Sequence, residues 1–359
     1  MTQSKTLFKF ITTAVLGSLF LSIIFLSCKK TETEPAIIDK TCLIINIPIA
    51  LGLYDASTEG TLVGQFELGS KAEFKTAIDA ANVTAGNASA TQEDVTNACA
   101  QLAAATTTFN SHLITAIAPE NLIGFWKFDG NPADSSGKGN DGVVTTGHAF
   151  FGAGIPTLTT DRFGRPNMAY HFDHGGNIEV PYTTALNPPE MTLSLWCNKS
   201  AVGRVINTDT YTMISLDRWL GYKFQLQSSN LPFYTVRVIK PAGDTTIYDR
   251  DDAGVALSNE VWYHVAVSFK SGEEDFYVNG ILVKQWTDVP GTAITVSSTI
   301  NFVIGQDLPT SYYLTVDPTG NRLVDYGGFW TGDLDDVMFY NIALTSPQIN
   351  SIYQSQKTL

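Results

Sequence analysis

Three kinds of side chain in this sequence could do chemistry, and their spacing separates them. Carboxylates come first. Hydrolysis of a glycosidic bond needs two of them across the bond, about 5–5.5 Å or about 6.5–9.5 Å apart. Glu273-Glu274-Asp275 is a candidate run, but it adjoins the turn Ser271-Gly272, where a solvated charge cluster explains it better than catalysis. Imidazoles come second. His112, His148, His171, His174 and His264 show neither His-Glu-x-x-His spacing nor a nearby cysteine pair suited to zinc. His171 and His174 flank Asp173 and read as a surface turn, while His264 in WYHVAVSF reads as packing. No Gly-x-Ser-x-Gly elbow is present. Aromatic rings come third. A ring on a surface offers a flat apolar face to sugar C–H groups, and polar neighbours fix the sugar's orientation. Trp219 and Tyr222 in DRWLGYKF, with Tyr312, Tyr313 and Trp330 after Gly305, are the candidates for carbohydrate binding.

The elements that must position these residues change character near Pro119. Before it, Phe74, Ala77, Ile78 and Ala81 share one helical face, and Val95, Ala98, Cys99, Leu102 and Ala105 share another. Ser70 with Glu73 predicts a capping box, and Ser89–Thr91 a second helix start. Leu43–Tyr54 predicts a first helix that Pro48 either kinks or confines to a later start. After Pro119 come short alternating strands such as TLSLWC, WYHVAVSF and DFYVNGILV. Asn279-Gly280 between two such runs is a strong hairpin signal. Many short strands without intervening helices indicate a two-sheet antiparallel sandwich.

In their order, GFWKFDG, DSSGKGNDG, DRFGRPNMAYHFD, IEVP, LNPPEMTLSLWC, WYHVAVSF and GDLDDVMFYNIAL resemble LamG-like jelly rolls of the concanavalin A-like lectin/glucanase superfamily. The resemblance spans about Asn121 to Gln354 and implies a mainly β jelly-roll sandwich. Relatives on this fold include carbohydrate binders, adhesive modules and glucanases, so the fold alone does not give function. Retaining glucanases of the superfamily carry Glu-x-Asp-x-x-Glu on one strand, a motif missing here. The resemblance also implies that the first and last strands pair. That would bring Asp129 close to Asp335 and Asp336, where a structural calcium is expected, with Asp134 and Asp141 as weaker candidates. The five candidate aromatics lie where the chain departs from the shared motifs, as loops would, whereas Trp126, Trp196 and Trp262 lie within them and should be core. The preceding Ala-rich region, about Ile37 to Leu113, resembles three-helix spacer modules of bacterial surface proteins.

The N-terminus places Lys5 and Lys9 ahead of an uncharged run from Ile11 that ends at Cys28, the pattern of a secretory signal. Phe25-Leu26-Ser27-Cys28 resembles a bacterial lipobox, which implies cleavage after Ser27 and a lipid on Cys28. The chain thus divides into a signal (1–27), a polar tether (28–36), a helical spacer (37–118) and a jelly roll (119–359). The resemblance implies an outer-membrane lipoprotein of Bacteroidota type, facing outward. Net charge is −13, becoming −15 once Lys5 and Lys9 leave with the signal, which argues against nucleic acid as a partner. With 44% hydrophobic residues a packed core is expected. Cys197 shares a strand face with Leu193 and Leu195 and reads as core. Cys42 and Cys99 are left as a possible bridge. The expected protein is a noncatalytic lipoprotein whose jelly roll binds a glycan or polysaccharide, with a surface protein as the alternative partner and a degenerate hydrolase as the least favoured reading. Substituting Cys28→Ala should abolish incorporation of labelled fatty acid into the expressed chain; undiminished labelling would refute the anchor.

Overall fold

The computed structural model describes residues 37–201, 210–252, 254, 256–296, 300–314 and 327–358; the signal, Cys28 and the tether lie outside them. Three helices come first: α1 (Thr41–Ala56), α2 (Ser70–Gly86) and α3 (Gln92–Ser111). Their apolar faces meet in a small core around Leu43, Ile47, Phe74, Ile78, Val95 and Leu102. Phe109 stacks between Phe66 and Phe74, with ring centroids 4.2 and 4.5 Å away. Cys42 and Cys99 form a disulfide that ties α1 to α3.

Two local expectations are corrected. Pro48 does not delay α1, which begins at Thr41 and runs through it. A prolyl ring removes one helical hydrogen bond, and here the disulfide and the packing of Leu43, Ile47 and Ala50 offset that loss. Ser70 is not a cap either: Gly69 precedes α2 with φ 93°, and the Ser70 hydroxyl donates back to the Glu67 carbonyl at 2.6 Å. Thr91 does cap α3, in a reciprocal capping box with Asp94.

The strands run in chain order β1 (Leu122–Trp126), β2 (Val143–Thr145), β3 (Thr157–Thr159), β4 (Ala169–Phe172), β5 (Asn177–Val180) and β6 (Met191–Lys199). Next come β7 (Thr210–Leu216), β8 (Tyr222–Gln227), β9 (Pro232–Ile239), β10 (Thr245–Asp251) and β11 (Trp262–Lys270). The last are β12 (Glu273–Val278), β13 (Ile281–Trp286), β14 (Thr292–Ala293), β15 (Phe302–Ile304) and β16 (Gly332–Tyr340), followed by helix α4 (Ser346–Gln356). They form two antiparallel sheets. One has the order β13-β12-β11-β6-β16-β4-β3 with β1 also paired to β16. The other has the order β10-β9-β8-β7-β15-β5-β2 with β14 on β9. The jelly-roll sandwich expected from the sequence is therefore present. Alternation sends Leu193, Leu195 and Cys197 of β6 and Tyr222, Phe224 and Leu226 of β8 into one shared core. Burial pushes the Cys197 thiol far above its ordinary value, as befits a core residue. Trp126 and Trp196 are buried, but Trp262 is only half-buried at the start of β11.

The outer face of the first sheet is covered by α4. Ile349 and Ile352 pack there with Met338, Tyr340 and Ile117, and Val63 of the helical module joins them. The Val63 amide donates to the Ser351 hydroxyl of α4 at 3.1 Å, which seats the module on the sandwich.

The run Glu273-Glu274-Asp275 is not the solvated cluster expected. Strand alternation turns Glu274 inward beside Phe276, where it is fully buried and neither carboxyl oxygen has a hydrogen-bond partner. Burial raises its pKa well above the ordinary range, and nearby Arg250 offsets only part of this. A raised carboxyl favours the fold at low pH, and that contribution is lost as pH rises from the unfolded value through the folded one. Glu274→Gln should therefore stabilise the chain increasingly above pH 5, by up to about 1.4 kcal/mol per pH unit within that window. Urea melts at pH 5 and 7 check this; a variant less stable than wild type at pH 7 would contradict it.

Candidate functional site

Two places gather the residues that could act. The first is where the chain's first and last β strands meet. Strand β1 pairs with β16, with Trp126 opposite Val337, so the carboxylates expected to converge do so. A bulge between Asp335 and Met338, with Asp336 at φ 45°, turns both Asp335 and Asp336 toward Arg162. The Arg162 guanidinium bonds both carboxylates, and its Nη2 reaches Asp336 at 2.7 Å. It also donates to the Gln356 carbonyl and lies 4.5 Å from the Trp196 ring. One guanidinium thus serves two carboxyl groups, Asp335 buried and Asp336 partly buried. Burial and the neighbouring Asp336 charge accordingly push Asp335 up to about 8, against the pull of Arg162. Asp129 borders the same cluster and lifts Asp336 further.

Arg162 thus stands beside the carboxylates where the sequence suggested calcium. Among the described residues, no group of three or more His, Cys, Asp or Glu side chains could hold a metal ion. The weaker candidates serve their own loop: Asp134 accepts from the amides of Phe125, Ser136 and Asn140, and Asp141 accepts from the Asp134 amide. Burial raises the Asp134 pKa, but those hydrogen bonds outweigh it and hold it below the usual range. His171 and His174 each pair with an aspartate, Asp333 and Asp173 respectively. His264 is fully buried, bonded to the Ser194 hydroxyl at 2.8 Å, and pushed down to about 3 by burial and by Arg162.

The second place is the outer face of the other sheet. Residues of β7 to β10 that alternate away from the core form two cross-strand rows. Ser215, Lys223, Thr235 and Asp249 make one; Thr212, Gln225 and Phe233 make the other. Although they point away from the core, Thr212, Ser215, Lys223, Gln225 and Thr235 are almost wholly inaccessible. The Gly327-Gly328 segment lies against this face; a Cβ on Gly328 would come 2.3 Å from Thr212 Oγ1. Thr235 donates to Asp249 at 2.6 Å. By contrast, Thr212 Oγ1 and Gln225 Oε1 are buried with no hydrogen-bond partner, an arrangement that costs about 1–3 kcal/mol per group. A groove of about 350 Å³ opens over Lys223, Gln225, Phe233 and Asp249, walled by Trp219.

Of the five candidate aromatics, the structure brings Trp219 to this groove. It sits in a short turn between β7 and β8, where Asp217 and Arg218 adopt the left-handed conformation. Arg218 Nε is fixed to Asp307 at 2.6 Å. The indole is 39% exposed and has Lys223 Nζ 4.5 Å from its centroid. Tyr312 is 37% exposed, and its pKa is raised by partial burial and, secondarily, by the Asp217 charge. Tyr222, Tyr313 and Trp330 are corrected: all three are core. Tyr222 alternates inward with Phe224 and donates to the Leu186 carbonyl at 2.6 Å. Tyr313 bonds Asp307 and packs edge-on against Phe151, and Trp330 is fully buried before β16. Sequence reasoning missed Thr212, Gln225 and Phe233. The signal was in KFQLQ, where Lys223, Gln225 and Gln227 alternate with apolar residues and so mark a polar face.

The family comparison agrees with the fold. Residues 172–350 match a laminin-G-like family described as the Concanavalin A-like lectin/glucanases superfamily, which supports a LamG-like domain here. Domain 4 of AbnA, a GH43 extracellular arabinanase from Geobacillus stearothermophilus solved with arabinotriose, is similar. It has 19% identity and a TM-score of 0.45, over 65% of this chain and 98% of that one. The binding domain of Paraclostridial Mosquitocidal Protein 1 shows 15% identity and a TM-score of 0.44 over 66% of this chain. A botulinum neurotoxin type C structure, from work describing cell entry dependent on two ganglioside molecules, shows 16% identity and a TM-score of 0.41. This chain spans 52% and 51% of those two toxin chains. No curated protein matches the sequence.

The acidic cluster gives a direct test. Arg162→Ala removes the guanidinium that bonds the buried Asp335 and the partly buried Asp336, and should cost about 3–5 kcal/mol of stability at neutral pH. A denaturant melt within 1 kcal/mol (about the size of an exposed pair) would contradict this role.

Proposed function

We propose that this chain is a noncatalytic glycan-binding lipoprotein, held at the outer membrane through Cys28, with the groove beside Trp219 as its binding site. The observation that carries the reading is the pairing of an exposed indole with Gln225, which lines the same groove and whose buried Oε1 has no hydrogen-bond partner among the described residues. Sugars match this arrangement. Their C–H faces stack on an aromatic ring and their hydroxyls donate to such acceptors. The match of residues 172–350 to a lectin/glucanase superfamily supports the same class of ligand.

A protein-binding surface would call for an exposed apolar patch, whereas both rows on this face are polar apart from the half-buried Phe233. A glycosidase needs two carboxyl groups across the bond. Among the described residues lining the groove, Asp249 is the single carboxylate, and Thr235 donates to it.

A glycan array with the full chain in detergent tests the reading. Trp219→Ala and Gln225→Ala should each weaken the strongest signal by roughly tenfold, equivalent to about 1.4 kcal/mol, with melting temperatures near wild type for Trp219→Ala. Undiminished binding by both variants would remove the groove from consideration.

A further inference from the structure

Helix α1 carries a surface that the groove and the module core leave unused. No charged residue occurs from Thr41 to Tyr54. One side of the helix packs inward through Leu43, Ile47 and Ala50. The other exposes Ile44, Ile45, Pro48, Ile49 and Gly52, spaced so that they form one continuous stripe. The isoleucines are 67, 54 and 62% exposed. Such a stripe is unusual on a helix facing water, where the outward side is ordinarily polar. Asn46, beside the stripe, donates to Cys42 Sγ at 3.5 Å. Lys40, just before the helix, is bonded to the carbonyls of Ala85 and Asn87. From Ile44 to Gly52 the stripe itself therefore presents neither a charge nor a directional group, and the exposed Thr41 and Asp55 bound it at the two ends of the helix.

We infer that this stripe lies in the interface of the lipid bilayer, with α1 parallel to the membrane surface. The occupant follows from the chain's own geometry. Thirteen peptide steps separate Cys28 from Thr41, so a lipid on Cys28 holds α1 within about 45 Å of the bilayer even when the tether is fully extended. Tethering at that range supplies the high local concentration that a weak apolar contact requires. Among the described residues no helix is long and apolar enough to cross a membrane, so α1 lies on the surface rather than spanning it. With no basic residue on the stripe, the contact is indifferent to anionic lipid. The inference rests on the proposed Cys28 anchor for its proximity, but the two can be tested separately.

The full-length chain is reconstituted into phosphatidylcholine vesicles with or without brominated acyl chains, carrying Ile45→Trp or, as a second reporter, Ile49→Trp. The added indole emission should fall at least twofold in brominated vesicles, and equally when phosphatidylglycerol is included. Ile247→Trp, on the outer face of the second sheet, should not be quenched. Vesicle flotation of Cys28→Ala reports the anchor independently. A chain that floats with vesicles while both reporters stay unquenched overturns the bilayer contact and leaves the anchor standing. Unquenched reporters accompanied by crosslinked dimers overturn it in favour of a second copy of this chain.

Discussion

Arg162 is the side chain on which the architecture of the β domain converges. Its guanidinium joins the bulge of β16, the last turn of α4 and the Trp196 ring of β6 at one buried point. A cation at the C-terminal end of α4 also meets the negative end of the helix dipole. Strand β16 is the last in sequence yet lies between β6 and β4 while also pairing β1, so the sheet is completed only when the chain's end returns to its beginning. Helix α4 then covers the outer face of that sheet and receives the helical module through Ser351 and Val63. Removing the guanidinium would loosen all three layers together, because one group satisfies two carboxylates and a helix terminus.

The buried charges have opposite consequences for pH. Asp335 and Glu274 are raised, chiefly by burial, so their contribution to the fold is strongest in acid and declines as pH rises. Asp134 and Asp161 are held low because their hydrogen bonds outweigh burial, so their contribution is present above the ordinary carboxylate range and lost below it. The first sheet therefore spends its outer face on α4 and on buried electrostatics. The second leaves its outer face to polar rows and a groove, and that difference separates scaffold from site.

The sandwich was legible because alternation, the Asn279-Gly280 turn and the motif order all point the same way. Asn279 and Gly280 do take the positive φ values, 50° and 74°, that such a turn requires. The convergence of Asp129 with Asp335 and Asp336 was also legible from strand pairing. What was not legible was the pairing of Arg162: it stands in DRFGRPNMAYHFD, a segment that matched the jelly-roll pattern, but its partner Asp335 lies 173 residues further on. The aromatics failed for a related reason. A tyrosine or tryptophan can be core or platform, and only alternation within a correctly bounded strand decides between them. Tyr222 was read as a loop residue, but it is the first residue of β8 and points inward. Glu274 was misjudged likewise, because proximity to a turn was weighed above the inward alternation of β12.

If the groove floored by Gln225 and walled by Trp219 is the binding site, it holds a sugar. A crystal structure of the chain with the oligosaccharide that binds it best is the most direct measurement. The expected result is a pyranose or furanose ring against the Trp219 indole, with one hydroxyl within hydrogen-bond distance of Gln225 Oε1. A sugar bound on any other face, with Thr212 and Gln225 unchanged, would contradict it.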